Sequence, residues 1–239
     1  GDAGPQNVQQ PGNPSGEEGL MQRPIVTLPA AFLKFLQVDW DIDWRGQGLG
    51  ENTGAGSSTV FNRFPRWTGA PSVFLEGAEL AQWRGIRAMA QGRLGIYRLP
   101  MVDPIGFSGA PGAEQTFADG TSFASGEGFA SEPMCFAAQA ADRGAEQIRV
   151  TGLDAAPRIG QIMSQGLWPF TVTWVLEVSA GVYDLGVQMP LREALAAGDP
   201  IRLEAMGLFE AVEGGMGRVR YDTSRAAQVK LNFREVLNR

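Results

Sequence analysis

The chain has 239 residues with 20 Lys and Arg against 26 Asp and Glu, a net charge of −6, one cysteine and no histidine. Without imidazole there is no Ser-His-Asp or Cys-His nucleophile, no HExxH zinc site and no histidine general base, so much of hydrolase chemistry is removed and no enzyme is expected. An acidic chain is also poorly suited to gripping nucleic acid, which calls for clustered Lys and Arg.

At 44% hydrophobic and 19% charged, the chain can bury a core for one large or two small domains. No run of about 18 apolar residues occurs, so membrane insertion is not expected. The lone Cys135 excludes an internal disulfide and a cysteine-built zinc site, and fits assembly in a reducing cytoplasm. Set between Met134 and Phe136, it reads as a small buried hydrophobe.

Residues 1–19, "GDAGPQNVQQPGNPSGEEG", contain almost nothing to bury and read as a flexible arm, or as one that orders only against a neighbouring subunit. The apolar run "LPAAFLKFL" (28–36) leads into "VDWDIDWR" (38–45). Alternation there puts Val38, Trp40, Ile42 and Trp44 on one strand face and Asp39, Asp41, Asp43 and Arg45 on the other. Acids at every second position also open an EF-hand loop. However, the sixth position, which must be Gly, is Trp44, and the twelfth, which should be Glu, is Gly50. Alternate side chains of a strand stand about 6.5 Å apart in a line, so the expectation is an acidic strand face with Trp40, Ile42 and Trp44 buried behind it.

The loop "GQGLGENTGAGSS" (46–58) holds Gly46, Gly48, Gly50, Gly54 and Gly56 but no lysine, no G-x-x-x-x-G-K-[ST] and no G-x-G-x-x-G opening a helix. It reads as a surface or subunit-interface loop, with no cofactor. Strand candidates "TVFNRFPRW" and "PSVFLEG" follow. Between Gly77 and Gly92, Leu80, Trp83, Ile86 and Ala90 recur at spacings of three and four, which predicts a helix stopped by Gly92. "LGIYRLPMV" resumes the extended pattern.

In residues 104–141, Phe117, Phe123 and Phe129 recur every six residues among Gly and Ser turn signals. Three copies are too few for a solenoid, so a loop or hairpin pinned by phenylalanines is expected. Then come "QIRVTG", "RIGQIMS", "WPFTVTWVLEV", "GVYDLGVQM", a short predicted helix "PLREALAAG", and "PIRLE". Five short strands with one helical turn before the last is the pattern of a small SH3-like or OB-like β-barrel over 147–205. "RVRYD" and "AQVKLNFREV" close the chain as strands, the latter with Val229, Leu231 and Phe233 inward. The fold class is mainly β with one substantial helix. Arg218, Arg220, Arg225, Lys230 and Arg234 are too thinly spread for a nucleic-acid platform and suit salt bridges instead.

Carboxylate pairs drawn from Glu51, Glu76, Glu79 or the aspartates could in principle serve a cell-wall glycosidase, though no pattern assigns any pair to a pocket. Six tryptophans and a small barrel would also suit a carbohydrate-binding or receptor-recognition module.

Three passages carry a family resemblance: the helix and strand "GAELAQWRGIRAMAQGRLG" and "IYRLPMVDP", the barrel-like "PRIGQIMSQGLWPFTVTWVLEVSAGVYDLGVQMPLREALAAGDPIRLE", and the terminal "QVKLNFREV". In this order they resemble the distal tail protein and related tail-tip structural proteins of long-tailed, siphovirus-like bacteriophages and gene transfer particles. The resemblance implies a flexible arm at 1–22, a β-sandwich ring-forming domain from 23–104 with 206–239, and an inserted domain at 105–205. That insert comprises the Phe/Gly-rich loop 105–146 and the barrel 147–205. It further implies a hexameric ring at the virion tail tip, assembled in the bacterial host cytoplasm, which joins the tail tube protein to the hub or baseplate proteins. A hub position is the alternative. Viral DNA would pass through without specific binding, and a lumen-facing row of Asp39, Asp41 and Asp43 would repel its phosphates. The glycine-rich loop would make an axial or inter-subunit contact.

Overall fold

The computed structural model describes residues 23–28, 35–51, 57–60, 65–103, 132–219 and 225–238. The N-terminal arm, Gly54, Gly56, the Phe117/Phe123/Phe129 repeat and most of "RVRYD" lie outside them. The first part of the chain forms strands β1 (Ile25–Thr27), β2 (Phe35–Gln37), β3 (Asp41–Asp43), β4 (Gln47–Glu51), β5 (Ser57–Val60), β6 (Arg66–Gly69) and β7 (Ser72–Glu76). Helix α1 (Ala78–Ala90) and β8 (Ile96–Pro100) follow. Next come β9 (Met134–Ala137), β10 (Gln147–Thr151), β11 (Ile162–Gln165), β12 (Trp168–Ser179), β13 (Val182–Gln188) and β14 (Pro200–Arg202). The last strands are β15 (Met206–Ala211), β16 (Ala226–Lys230) and β17 (Phe233–Glu235). The protein is mainly β, and α1 is the one helix among the described residues.

A six-stranded sheet runs in the order β1-β8-β15-β17-β6-β3, and a three-stranded sheet in the order β16-β7-β2. Two ribbons pass together from one sheet to the other. Strands β6 and β7 are linked at Ala70 and Pro71, β17 and β16 at Leu231 and Asn232, and β6 pairs β17 while β7 pairs β16. The terminal segment read as one strand is therefore two strands in two sheets. Val229, Leu231 and Phe233 stay inward across the bend, each at most 3% exposed, because both sheets bury their inner faces in the same core with Trp83, Tyr97, Leu99 and Phe209.

Helix α1 covers this core with Leu80, Trp83, Ile86 and Ala90, the predicted stripe. Glu79 in its first turn and Arg87 in its last suit the helix dipole. It stops one residue before Gly92: Gln91 takes the left-handed φ of 49°. Gly95 then comes so close to the Ala90 carbonyl that its N–H donates to it at 2.7 Å.

Strands β10-β13-β12-β11-β14-β9 close into a barrel around Ile148, Val150, Met163, Phe170, Leu185 and Ile201. Its sixth strand, β9, comes from the stretch read as loop. Long β12 is bulged between Val172 and Trp174, and the Trp174 indole occupies the space a Cβ on Gly186 would need. The helix expected at "PLREALAAG" does not form. Leu191 N–H donates to the Ala145 carbonyl, while Leu195 bridges Ala141 through both backbone groups. Burying Leu191 and Leu195 under the barrel thus outweighs helix propensity.

Barrel and sheets meet through side chains. Trp67 Nε1 donates to the Pro169 carbonyl at 3.0 Å, and Met206 N–H to Ser164 Oγ at 3.1 Å. Arg192 Nη2 reaches the Pro65 carbonyl, its guanidinium lies 6.0 Å from the Trp168 ring, and burial lowers its pKa against the opposing pull of Glu235.

Candidate functional site

The segment 38–45 is extended only in part. β3 pairs antiparallel with β6, Asp41 opposite Thr68 and Asp43 opposite Arg66, and forms one edge of the six-stranded sheet. Trp40 packs on Phe209 at 5.1 Å between ring centroids, over Gly69, where a Cβ would collide with the indole. Ile42 joins the same core. Trp44 does not. Its surface is 51% exposed, because Arg45 turns through a left-handed φ of 49° and Asp43 Oδ1 accepts the Arg45 N–H at 3.0 Å. That local turn ends the alternation, so only two of the three expected apolar residues back the acids.

The three carboxylates differ in what holds them. Asp39 Oδ1 accepts the Ala70 N–H at the bend between the sheets. Asp41 Oδ1 accepts the adjacent Ile42 N–H at 2.7 Å. Asp43 Oδ2 takes Arg66 Nε at 3.3 Å. Asp39 and Asp41 are exposed and Asp43 is partly so. The glycine-rich stretch is not all loop, since Gly48 and Gly50 lie in the hairpin of β4 and β5 and Gly46 is exposed just before it.

At the opposite edge of the same sheet, β1 pairs parallel with β8, Thr27 beside Arg98. There a cleft of about 420 Å³ opens between sheet and barrel, lined by Leu28, Pro100, Val102, Pro133, Met206 and Arg98. Arg98 Nε is buried and meets no acceptor, an unusual condition for an interior guanidinium nitrogen. Across the mouth, Arg202 Nε holds Glu132 at 2.7 Å. A smaller neighbouring cleft of about 220 Å³ is lined by Met101, Gln161, Ile162 and Leu203.

Elsewhere the polar groups are tied to structure. Glu210 on β15 receives Arg23 and Arg234, each at 2.7 Å. Burial works against its ionised form, and the two guanidinium hydrogen bonds outweigh it, holding the carboxyl below the usual range. The Arg149 bond likewise lowers Asp184. Cys135 lies in the barrel interior, fully buried, and burial pushes its thiol up to about 12. Glu76 and Glu79 sit at the start of α1, where Glu79 Oε2 accepts the Glu76 N–H at 3.2 Å. Neither lines any of these clefts. Among the described residues no group of three or more His, Cys, Asp or Glu could hold a metal ion, and no helix is long and apolar enough to cross a membrane.

No known family matches the chain, and neither does any curated protein. Sequence reasoning passed over the Arg98 cleft because its walls come from β1, β8, β14 and the segment before β9. The one available signal was a charged residue inside the otherwise apolar "IYRLP".

Proposed function

We propose that this chain is a non-enzymatic structural component of a phage tail tip. Residues 23–104 and 206–239 form a β-sandwich that closes with other copies into a hexameric ring between tail tube and hub or baseplate. Residues 105–205 form the inserted domain, with an SH3-like or OB-like barrel. The observation that carries this reading is the interleaving of the chain's two ends. The six-stranded sheet takes β1, β3, β6 and β8 from before the barrel and β15 and β17 from after it, so the barrel strands, 134–202, leave and return through one sheet. Among the described residues that sheet also keeps two open edges, β1 and β3, the feature a head-to-tail ring requires. Light scattering and direct imaging test the proposal: six 25.6 kDa chains form a ring of about 154 kDa. A strict monomer at high concentration that is absent from tail tips would overturn it.

The passage of DNA rests on Asp41, which is exposed on the sheet edge and whose carboxylate, among the described residues, accepts the Ile42 amide at 2.7 Å and faces solvent otherwise. In a lumen it repels phosphates, and Asp41→Lys slows DNA delivery. In solvent it does not.

A second reading is favoured by one observation. Trp174, Leu176 and Val178 stand exposed along β12 at 40%, 59% and 47%, an apolar strip in which the Trp174 ring supplies a face for stacking on a sugar. Quenching of tryptophan fluorescence by cell-wall saccharides, abolished in Trp174→Ala, would support a receptor-recognition role for the barrel.

A further inference from the structure

We propose that copies of this chain join head to tail by inserting Trp44 of one copy into the Arg98 cleft of the next, which rests on the ring reading and names its interface. Two unsatisfied groups point to it. Trp44 is a large aromatic side chain left 51% exposed just beyond β3, at one edge of the six-stranded sheet. Arg98 lies beside β1 at the other edge, its Nε buried without an acceptor. An interior guanidinium nitrogen with no partner is costly, so the cleft is incomplete in the single chain.

The chemistry of the two ends is complementary. The walls of Leu28, Pro100, Val102, Pro133 and Met206 suit an indole, and the arginine plane suits stacking on it. Asp43, held by Arg66 at 3.3 Å, precedes the tryptophan and keeps that end of the sheet acidic, opposite in sign to Arg98; at the cleft itself Glu132 is held by Arg202 and Glu204 is exposed in the lining. Trp and Arg are also the residues on which interface energy concentrates.

The placement sets the symmetry. β3 and β1 are the two ends of the six-strand order, about 24 Å apart at roughly 4.8 Å per strand step. Each copy therefore gives with one edge and receives with the other. Such a heterologous contact makes a closed ring when its rotation closes.

The test is the solution mass of the full chain as wild type, Trp44→Ala, Val102→Arg, Arg98→Met, and an equal mixture of the first two variants. Trp44 and Val102 are exposed at 51% and 39%, so replacing them leaves the fold intact, and the arginine fills the cleft. Trp44→Ala and Val102→Arg alone each weaken association at least about 30-fold, and Arg98→Met at least about fivefold. The mixture forms a dimer of about 51 kDa, two 25.6 kDa chains, because only one productive contact per pair remains. Wild type that assembles while the variants assemble equally well, or a mixture that stays monomeric, would overturn this interface and leave the ring standing. A monomeric wild type would overturn both.

Discussion

Trp83 and Gly217 fit each other in two ways at once: the indole Nε1–H donates to the Gly217 carbonyl at 2.8 Å, and the ring fills the space a Cβ on Gly217 would need, coming to 2.3 Å of it. Trp83 is fully buried and cannot move aside, and Gly217 holds a φ of 67°. Gly217→Ala should cost about 2–4 kcal/mol, combining overpacking with left-handed strain. Urea unfolding would measure it. A loss below about 0.5 kcal/mol would show that the turn at 213–217 can shift.

Glu210 ties β15 to Arg23 ahead of β1 and to Arg234 on β17. Its folded pKa lies below the usual range, so its contribution is present above its unfolded pKa of about 4.3 and is lost as pH falls through the folded value. Stability should decline below about pH 5, and Glu210→Gln should flatten that decline while costing about 1–3 kcal/mol at pH 7. Parallel acid titrations of the two proteins, followed by circular dichroism, check both statements.

Cys135 is closed off inside the barrel, and its thiol is raised to about 12. At pH 8 almost no thiolate forms, so iodoacetamide should leave the native protein unmodified for hours and add one carbamidomethyl group in urea. Mass spectrometry reads the difference. Rapid native labelling would mean that β9 opens easily.

The acidic row separates by role. Asp39→Ala removes the acceptor of the Ala70 N–H and should cost about 1 kcal/mol. Asp41→Ala should stay within about 0.5 kcal/mol of wild type. Thermal unfolding of both variants distinguishes them, and equal losses would contradict the assignment. Asp41 is consequently the position at which charge can be reversed without disturbing the fold.

The stripe Leu80, Trp83, Ile86 and Ala90 specified α1 on its own, because a period near 3.6 admits no other regular element and an apolar face must be buried. Alternation at Val229, Leu231 and Phe233 likewise specified which side of the chain goes inward. It could not tell that the strand bends from one sheet into another, since both sheets bury the same parity. Trp44 looked like a continuation of the Trp40 and Ile42 face until Asp43 turned its carboxylate onto the Arg45 amide. "PLREALAAG" carried helix-forming residues, yet its backbone bonds went to Ala141 and Ala145.

Arg98 and Trp44 mark the boundary most clearly. Composition determined an acidic, histidine-free chain and spacing determined its mostly β periodicity, because both are read from the sequence without knowledge of the fold. That a guanidinium whose Nε meets no acceptor lies in a cleft at one sheet edge and an exposed indole at the other was decided only by strand order. Pairing between residues tens of positions apart depends on the whole core, and no local pattern encodes it.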